Sequence, residues 1–450
     1  MDTAPTTSAG KTDMNRIATA LCAHLGVLAS LFALHAPLAN ATPSGRNILF
    51  IAIDDMRIEP QALTPNIDAL ANESTRYNAA YAPAPFCVSS RATVLTGLKP
   101  STHGVGLKFE SFLLSQASYN DLFTDPQITT IQEVLGANGY FTATTGKVNH
   151  TQFPAKWDLA QPYTLPTWNP ADPGPDGTYI EPTVLPPGET HPDQEVADWA
   201  VSFMQGYNAS APFFLAIGFY QPHLPWRVPQ WAYDLYPAPV PYIPEPGDFD
   251  DEPNAAVRLA ENLIWTGNNP NNPSQYDLIE DAGKAADYTA AYLAAISHTD
   301  AMVGQVLAAL AASPHATTTD VILWSDHGYH LGEKFHWRKF TFWEQSVKVP
   351  FLIKSPAITA GDVDVEVSLL DLAPTLLDLA GLPAEPQFEG VSLVSGRSPV
   401  EIFYDKGRAT VANGIKDIDY DVDNPGPNHL ASYDLVNDPL ELVNLTPPGC

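Results

Sequence analysis

Cysteine is scarce in this 450-residue chain, which has three, and basic residues are far outnumbered by acidic ones. The 22 lysines and arginines and the 51 aspartates and glutamates give a formal net charge of −29 at pH 7. This charge argues against nucleic acid and anionic membrane surfaces as general partners, because both repel a strongly acidic protein. It does not exclude an anionic substrate, since a few cations and a divalent ion can reverse the sign of one site.

Long apolar runs are also lacking after the first 41 residues, so no membrane span is predicted in the mature chain. The N-terminal segment differs, because Arg16 precedes an apolar stretch over residues 17–34 and residues 39–41 (Ala-Asn-Ala) have the small-x-small pattern of a cleavage site. We therefore predict a signal peptide over residues 1–41, with Met14 as an alternative start. The mature protein is expected in the periplasm or outside the cell.

Disulfides are common in exported proteins, yet the predicted mature chain contains only Cys87 and Cys450. A bridge between them would require the last residue of the chain to lie against an internal segment, so we give this pairing little weight. An unpaired cysteine in an exported protein needs a functional reason, which makes the surroundings of Cys87 informative.

The chain has the composition of a folded protein, because 45% of its residues are hydrophobic and its 43 prolines and 28 glycines indicate ordered loops. The continuous apolar run over residues 47–53 predicts a strand buried on both faces. Such runs alternate with helical patterns, which predicts an α/β fold with a mostly parallel sheet and helices on both of its faces. The predicted strands cover residues 47–53, 140–145, 212–218, 320–324 and 349–354, and the predicted helices cover residues 64–71, 130–138, 193–206, 287–312 and 370–380.

Two domains are predicted after the signal peptide: a catalytic domain over residues 42–395 and a small α+β subdomain over residues 396–450. Short alternating runs in the second part are typical of an antiparallel sheet. The strand candidates there are residues 415–420 and 431–436. Two stretches rich in Pro, Asn, Asp and Gly are expected to form long loops beside the substrate site, at residues 153–192 and 236–273.

Polar side chains follow three of the predicted strands. Asp54 and Asp55 end the first, His223 follows a later one, and Asp326 with His327 follows another. Because the carboxyl ends of parallel strands meet at one edge of a sheet, these side chains are expected to converge. Paired carboxylates suit a hard divalent cation such as Ca²⁺. Taken alone, Asp54 and Asp55 could instead cap the helix that is predicted to follow them.

Residues 87–97, Cys-Val-Ser-Ser-Arg-Ala-Thr-Val-Leu-Thr-Gly, form the most informative segment of the chain. Arg91 follows Cys87 by one helical turn, so its guanidinium can lie beside the thiol and hold charged oxygens there. In isolation, a buried cysteine near a surface arginine would be the ordinary interpretation. The segment resembles the signature of type I sulfatases, members of the alkaline phosphatase superfamily in which this cysteine is oxidised to formylglycine. Ser89 stands where that family usually has proline or alanine, which implies slower oxidation.

Four further segments resemble the iduronate-2-sulfatase-like subgroup of that family, and they occur in the family's order. Each match is weak alone, but together they extend the resemblance over about residues 45–445. The segments are Gly146-Lys147-Val148-Asn149-His150, Gln221-Pro222-His223-Leu224-Pro225-Trp226, Asp326-His327-Gly328 and Trp337-Arg338-Lys339-Phe340.

The resemblance implies a sulfuric ester hydrolase that acts on a sulfated small molecule or oligosaccharide. Its implied partner in maturation is a formylglycine-generating enzyme or another sulfatase-maturing enzyme, and its implied metal is Ca²⁺, with Mg²⁺ as the alternative. The implied metal ligands are Asp54, Asp55, Asp326, His327 and the modified Cys87. The implied catalytic residues are Cys87 as nucleophile, Arg91 beside it, Lys147 and Lys339 on the sulfate oxygens, His223 near the leaving oxygen, and His150 as the base that breaks down the intermediate.

Two other functions fit the sequence less well. A phosphodiesterase or phosphonate monoester hydrolase of the same superfamily is disfavoured by the single set of acidic ligands. An inactive protein that binds sulfated polysaccharide, with maturation blocked by Ser89, is disfavoured because Lys147 and His150 are retained. The sequence does not decide which residues surround the substrate. Four residues could line a sugar site or belong to the core and its rim: Trp226, Arg227, Trp337 and Arg338.

Overall fold

The computed structural model describes residues 44–107, 112–164, 182–261, 273–424 and 426–446. The predicted signal peptide and Cys450 lie outside these residues. Within them the predicted α/β fold is confirmed, with an eight-stranded sheet, helices on both of its faces, and a separate four-stranded antiparallel sheet near the C-terminus.

The described part of the chain contains the predicted strands and helices together with shorter elements that were not predicted, among them the helix Asn254–Glu261 within the stretch 236–273 that was expected to be a loop. The strands are β1 (Asn47–Ile53), β2 (Thr75–Tyr77), β3 (Ala80–Tyr81), β4 (Phe141–Gly146), β5 (Leu159–Ala160), β6 (Thr183–Val184), β7 (Phe213–Phe219), β8 (Arg227–Val228), β9 (Thr319–Ser325), β10 (His330–Leu331), β11 (Trp337–Arg338), β12 (Phe351–Lys354), β13 (Gly361–Val363), β14 (Val367–Ser368), β15 (Val400–Tyr404), β16 (Gly407–Ala412), β17 (Ile415–Asp419) and β18 (Leu430–Asp434). The α-helices are α1 (Pro65–Ala71), α2 (Cys87–Thr96), α3 (Pro100–His103), α4 (Phe112–Thr124), α5 (Ile131–Ala137), α6 (Pro192–Gly206), α7 (Gln230–Tyr233), α8 (Asn254–Glu261), α9 (Gln275–Asp281), α10 (Ala285–Ala312), α11 (Glu344–Val347) and α12 (Leu372–Leu379).

The large sheet has the strand order β13-β2-β12-β9-β1-β7-β4-β5. Its centre, from β9 to β4, is parallel. Every residue of β1 is buried, because successive side chains of a strand point to opposite faces and both faces are covered. On one face Ile48, Phe50 and Ala52 join the core under α2, α5 and α12, and on the other Leu49, Ile51 and Ile53 join the core under α1, α6 and α10.

The predicted strand over residues 349–354 needs correction, because β12 is shorter and runs antiparallel to both of its neighbours, β2 and β9. A parallel return to the sheet requires a crossover connection, usually a helix. The chain between β9 and β12 contains only one short helix, α11, and so re-enters the sheet in the opposite direction. In the C-terminal sheet β17 and β18 match the two predicted strands, whereas β15 and β16 were not predicted.

Helix α10 is long and apolar enough to cross a membrane by length and composition, and in the described part of the chain it is the helix that meets this test. Of its most apolar window, 67% is buried inside the protein. It packs against α1, α6 and α7. This burial is typical of a core helix, so the segment does not need a bilayer to cover it.

A buried group of charges joins the C-terminal sheet to the large domain. Lys416 of β17 pairs with Glu344 at 2.7 Å and with Glu441 at 2.9 Å. Lys334 pairs with Asp248 at 2.6 Å, and Tyr433 of β18 donates to Glu252 at 2.6 Å. We call this group the C-terminal staple, and its members are Asp248, Glu252, Lys334, Glu344, Lys416, Tyr433 and Glu441.

Candidate active site

The register of the parallel strands brings the predicted site residues to one edge of the sheet. Ile53 of β1 is aligned with Phe219 of β7 and with Ser325 of β9, and Gly146 of β4 is aligned with Gly218 of β7. The strands therefore end at the same level, and the chain leaves each of them with a polar residue. The residues that follow are Asp54 and Asp55, Lys147, Tyr220 to His223, and Asp326 with His327.

A tight turn after β1 orients the two aspartates. Asp55 has a φ of 63°, in the left-handed region, and its N–H donates to Asp326 Oδ1 at 3.1 Å. The carbonyl of Asp55 accepts the hydroxyl of Tyr292 at 2.6 Å, and Met56 N–H donates to Ser325 Oγ at 2.9 Å. These bonds hold a strained residue in place, as is frequent at functional sites.

Cys87 is the first residue of α2, and Arg91 lies one turn later with no exposed surface. The guanidinium of Arg91 joins the strand ends: Nε donates to Asp326 Oδ2 at 2.8 Å and Nη2 donates to Asp54 Oδ1 at 3.1 Å. Its Nη1 donates to the carbonyl oxygens of Lys147 and Val148. The predicted proximity of Arg91 and Cys87 is thus present, and Arg91 also fixes the carboxylates.

Two lysines contact the aspartates, one each. Lys147 Nζ contacts Asp54 Oδ2, and Lys339 Nζ donates to Asp55 Oδ1 at 2.6 Å. The position of Lys147 depends on Gly218, because an added Cβ at this glycine would lie 2.2 Å from the carbonyl carbon of Lys147. The sheet can therefore present Lys147 only if residue 218 has no side chain.

The two predicted histidines also lie at the site, His150 beside Cys87 and His223 beside Asp54 and Asp55. His150 is hydrogen-bonded to the thiol of Cys87, and its backbone N–H donates to the hydroxyl of Tyr119 at 3.0 Å. His223 Nδ1 lies 2.6 Å from the carbonyl oxygen of Leu224. Because a carbonyl only accepts, Nδ1 carries a proton, and Nε2 is the atom available to the site.

Electrostatics at the site favour ionised acids despite burial. Burial opposes ionisation of Cys87, but Lys147, His150 and Lys339 hold the pKa of its thiol well below the usual range. Burial likewise acts against Asp54, and Lys147 with other cations still holds its pKa well below the usual range. For Asp326 burial prevails over Arg91 and raises the pKa to about 6.

The donor set fits a divalent cation. His327 Nδ1 lies 2.9 Å from Gly328 O, so Nε2 turns inward, 3.2 Å from Asp55 Oδ1 and 3.7 Å from Asp326 Oδ1. This nitrogen is buried and faces the thiol of Cys87, with which His327 forms a hydrogen bond, as well as these carboxylates. Asp54, Cys87, Asp326 and His327 place one ligand atom each within 4.8 Å of one another. A buried nitrogen that faces carboxylates in this way is what a bound cation would satisfy.

All ten residues predicted for the site are therefore brought to this strand edge, whereas several supporting residues carry no sequence signal. Tyr119, Tyr292 and Ser325 are distant from the site residues in the sequence, and the fold brings them into hydrogen-bonding contact with the site. Of the proposed sugar-lining residues, Trp226 and Trp337 are fully buried and belong to the core. The two arginines differ in exposure: Arg227 lies at the surface and pairs with Glu189, whereas Arg338 is buried beside Lys339.

Comparison with known proteins shows the family of the chain. A sequence model of the sulfatase family matches residues 46–382. A sulfatase from Formosa agariphila is 32% identical over 436 residues, covering 88% of this chain and 82% of that protein. Iduronate 2-sulfatase of Homo sapiens is 28% identical over 408 residues, covering 78% of this chain and 71% of that protein.

Solved structures share the fold. The structure of BT4656 in complex with its substrate D-glucosamine-2-N,6-O-disulfate aligns with a TM-score of 0.66 at 21% identity, covering 89% of this chain and 93% of that one. The phosphonate monoester hydrolase of Agrobacterium radiobacter aligns with a TM-score of 0.66 at 18% identity, covering 89% and 91%. Likeness at these identities shows a common architecture and does not distinguish the substrates.

Proposed function

This chain belongs to the sulfatase family of sulfuric ester hydrolases, and on that premise we propose that it removes sulfate from a carbohydrate by means of a formylglycine at position 87. The observation that carries the proposal is the convergence of Cys87 with Arg91, Lys147 and Lys339 at the edge where Asp54 and Asp326 also lie. Such a site holds an anion beside a nucleophile and stabilises the charge that develops on it.

Asp54, Asp55, Asp326, His327 and the oxidised residue 87 would hold the metal, which we propose to be Ca²⁺. When bound, the metal lowers the pKa of the nucleophile's hydroxyl and polarises a sulfate oxygen. Most of the ligands are carboxylate oxygens, which Ca²⁺ prefers. His327 is the ligand that suits Ca²⁺ least.

The cations of this chain bind and orient the sulfate for an in-line attack. Hydrated formylglycine at position 87 has two hydroxyls, and one of them attacks sulfur. Lys147 contacts Asp54 and Lys339 contacts Asp55, and both ammonium groups neutralise the sulfate oxygens. Arg91 is fixed by two carboxylates and so cannot swing away, which keeps the nucleophile and its ligands aligned.

Proton transfers complete the reaction. His223 directs Nε2 toward the site and, once protonated there, donates that proton to the alcohol oxygen as the bond between this oxygen and sulfur breaks. Burial, Lys147 and Lys339 lower the pKa of His223 in the free protein, and the negative charge of a bound sulfate acts in the opposite direction. His150, in contact with residue 87, then takes the proton of the second hydroxyl, so the aldehyde reforms and sulfate leaves.

The phosphonate and phosphodiester alternative finds less support. The sequence disfavours this alternative because it offers a single set of acidic ligands, whereas a second metal would require a second set beside the first. In the described residues the two candidate ligand groups at this edge share Asp54, and they therefore form one site. We place the chain in the iduronate-2-sulfatase-like subgroup on the Asp326-His327 pair and on its relative from Homo sapiens, which suggests a sulfated uronate among the substrates.

Sulfate release from a panel of esters tests the proposal. The panel contains sulfated mono- and disaccharides, among them a 2-O-sulfated uronate, together with a nitrophenyl sulfate and a phosphate diester. We expect at least one sulfated sugar to be hydrolysed faster than the diester, and activity to disappear on chelation and return with Ca²⁺. Faster hydrolysis of the diester, or full activity after thorough chelation, would overturn it.

A further inference from the structure

The loop that carries His223 is held by its own hydrogen bonds. After β7, the hydroxyl of Tyr220 donates to Leu224 O at 2.6 Å, and the amide of Gln221 donates to Pro225 O at 2.9 Å. His223 N–H donates to Tyr220 O at 2.9 Å. These contacts give the loop a defined shape, but they do not attach it to the rest of the protein.

The attachment comes from two helices. Asp193, in the first turn of α6 and without exposed surface, accepts the N–H of Tyr220 at 2.8 Å through Oδ1 and the N–H of Gln221 at 2.9 Å through Oδ2. From α10, the hydroxyl of Thr299 donates to Gln221 O at 3.0 Å. One carboxylate therefore receives two consecutive backbone N–H groups just before His223.

In the described residues the loop amides are the main hydrogen-bond partners of the Asp193 carboxylate. Tyr163 donates to Oδ1 at 3.3 Å, and the described residues supply no lysine or arginine to pair with the carboxylate. His191 and His298 pack around it, and burial lowers their pKa to about 4 and about 3, so both are neutral at pH 7. His191 Nδ1 accepts the N–H of Asp193 at 3.0 Å, which occupies the lone pair that a metal would need. Asp193 is therefore the acceptor for the two loop amides, and His191 and His298 pack beside it as neutral side chains.

We propose that Asp193 is a positioning residue for the sulfatase reaction: it fixes the two backbone amides before His223 and thereby sets where the imidazole meets the leaving oxygen. The inference rests on the proposed function, in which His223 serves that oxygen. In the described residues no hydrogen bond or ion pair joins Asp193 to Cys87 or to the two lysines proposed to bind sulfate, Lys147 and Lys339. Its effect must therefore be transmitted through the loop, and a displacement of about 1 Å is enough to reduce a rate by about 100-fold.

The substitution Asp193→Asn tests this idea. Asparagine keeps one acceptor oxygen and turns an NH₂ group toward the other backbone N–H, so one of the two bonds is lost. We expect kcat to fall by about 10- to 100-fold on a sugar sulfate, whose alcohol is a poor leaving group, and by less than about 3-fold on nitrophenyl sulfate, with KM little changed. Thr299→Val removes the single hydrogen bond from α10 to the loop. It should also lower kcat more on the sugar sulfate than on nitrophenyl sulfate, but by a smaller factor than Asp193→Asn.

Asp371→Asn is the matched control. Asp371 is equally buried and also accepts two backbone N–H groups, from Val391 and Ser398, each at 2.9 Å. These belong to a segment that carries no residue of the proposed site. If Asp193 only supported the fold, both variants would lose thermal stability and activity in the same proportion on both substrates.

A double-mutant cycle with His223→Ala decides whether the effect passes through His223. We expect the second substitution to add less than about 2-fold to the loss of kcat, because the group that Asp193 positions is already gone. Full additivity of the two losses, or an equal loss on both substrates in Asp193→Asn, overturns the proposal. A failure of the proposed function is seen separately, as absence of sulfate release by the wild-type protein.

Discussion

Two buried groups of charges in this protein differ in how they are balanced. The site cluster consists of Asp54, Asp55, Arg91, Lys147, Asp326 and Lys339, lies at the strand edge, and has His327 Nε2 beside it at 3.2 Å from Asp55 Oδ1. The C-terminal staple lies between a sheet and a domain, and its two lysines each bridge two carboxylates. Both groups are almost wholly out of contact with water.

The difference indicates what each group does. A charge removed from water must be paired, and breaking such a pair is far more costly than never forming it. The staple is paired within the protein, so its contribution goes to the free energy of folding. The site cluster pairs three carboxylates with three cations of the protein and, in the proposed function, also receives a metal and a sulfate, so it contributes to binding and catalysis as well. Substitutions in the two groups should therefore change different observables.

Cys87→Ser should have the largest effect. Serine can accept the sulfuryl group, but it has no second hydroxyl for His150 to deprotonate, so the enzyme should stop after one turnover. Intact mass spectrometry should find a stable adduct of one sulfuryl group on residue 87. We expect the free energy of unfolding to change by about 1 kcal/mol. Sustained turnover by this variant, or by protein whose Cys87 is an unmodified thiol, would falsify the formylglycine mechanism.

A matched pair of lysine substitutions separates the two groups directly. Lys416→Met leaves Glu344 and Glu441 facing each other in the interior, and we expect it to lower the free energy of unfolding by about 3–5 kcal/mol while kcat of the folded protein stays within about 2-fold. Lys339→Met removes a contact to the sulfate, and we expect kcat to fall by about 100- to 1,000-fold.

In the presence of Ca²⁺, Lys339→Met should lower the free energy of unfolding by less than about 1.5 kcal/mol, because Asp55 remains paired with the cation. Denaturant titration and steady-state kinetics on both variants measure the contrast. Similar losses of stability in the two proteins would mean that the site cluster is also part of the structural framework, and the comparison would fail.

Glu252→Gln should have the smallest effect, and it refines the description of the staple. Burial raises the pKa of Glu252 to about 7 in the folded protein, from 4.5, because the nearby Lys334 only partly compensates. The unfolded chain therefore loses this proton first, and the stabilisation is complete below pH 4.5 and is lost as the pH rises through about 7. As the pH rises, the free energy of unfolding of the wild type should fall by about 2–4 kcal/mol more than that of the variant.

The difference in unfolding free energy between wild type and Glu252→Gln, measured from pH 4.5 to 8, tests this sign. The wild type should lose stability relative to the variant across that interval. A difference that stays constant with pH would show that Glu252 keeps the same protonation state in the folded and unfolded protein.

Local sequence patterns predicted the centre of the fold because its strands are buried on both faces. The runs that became β1, β7 and β9 are continuous and apolar, and the observed bounds agree with the predicted ones to within one residue. The same is true of the site residues that follow these strands directly. Where a strand ends, the position of the next residue is nearly fixed, so Asp54 and Asp326 could be placed beside each other from the sequence.

Other features depend on partners that lie far away in the sequence. The antiparallel direction of β12 follows from the path of the chain between residues 326 and 350, which has no periodic signal. Asp193 is one of many acidic residues at helix starts, and only the fold reveals that its carboxylate reaches the loop before His223. The pairing of Lys416 with Glu344 and Glu441 is equally invisible to any local pattern.

Helix α2 has all ten of its residues buried; part of its cover comes from α3, α4 and α5, and the rest comes from late in the chain. Residues 369–371 and α12 pack against it, and Glu389 N–H donates to Gly97 O at 2.8 Å. At about 5–20 residues per second, the roughly 280 residues that separate Cys87 from this cover take about 15–60 s to be synthesised. In the proposed function a maturing enzyme oxidises Cys87, and this interval is the time during which it could reach the thiol. The length of chain between Cys87 and the later part of its cover therefore sets how long a sequence with Ser89 has for this oxidation.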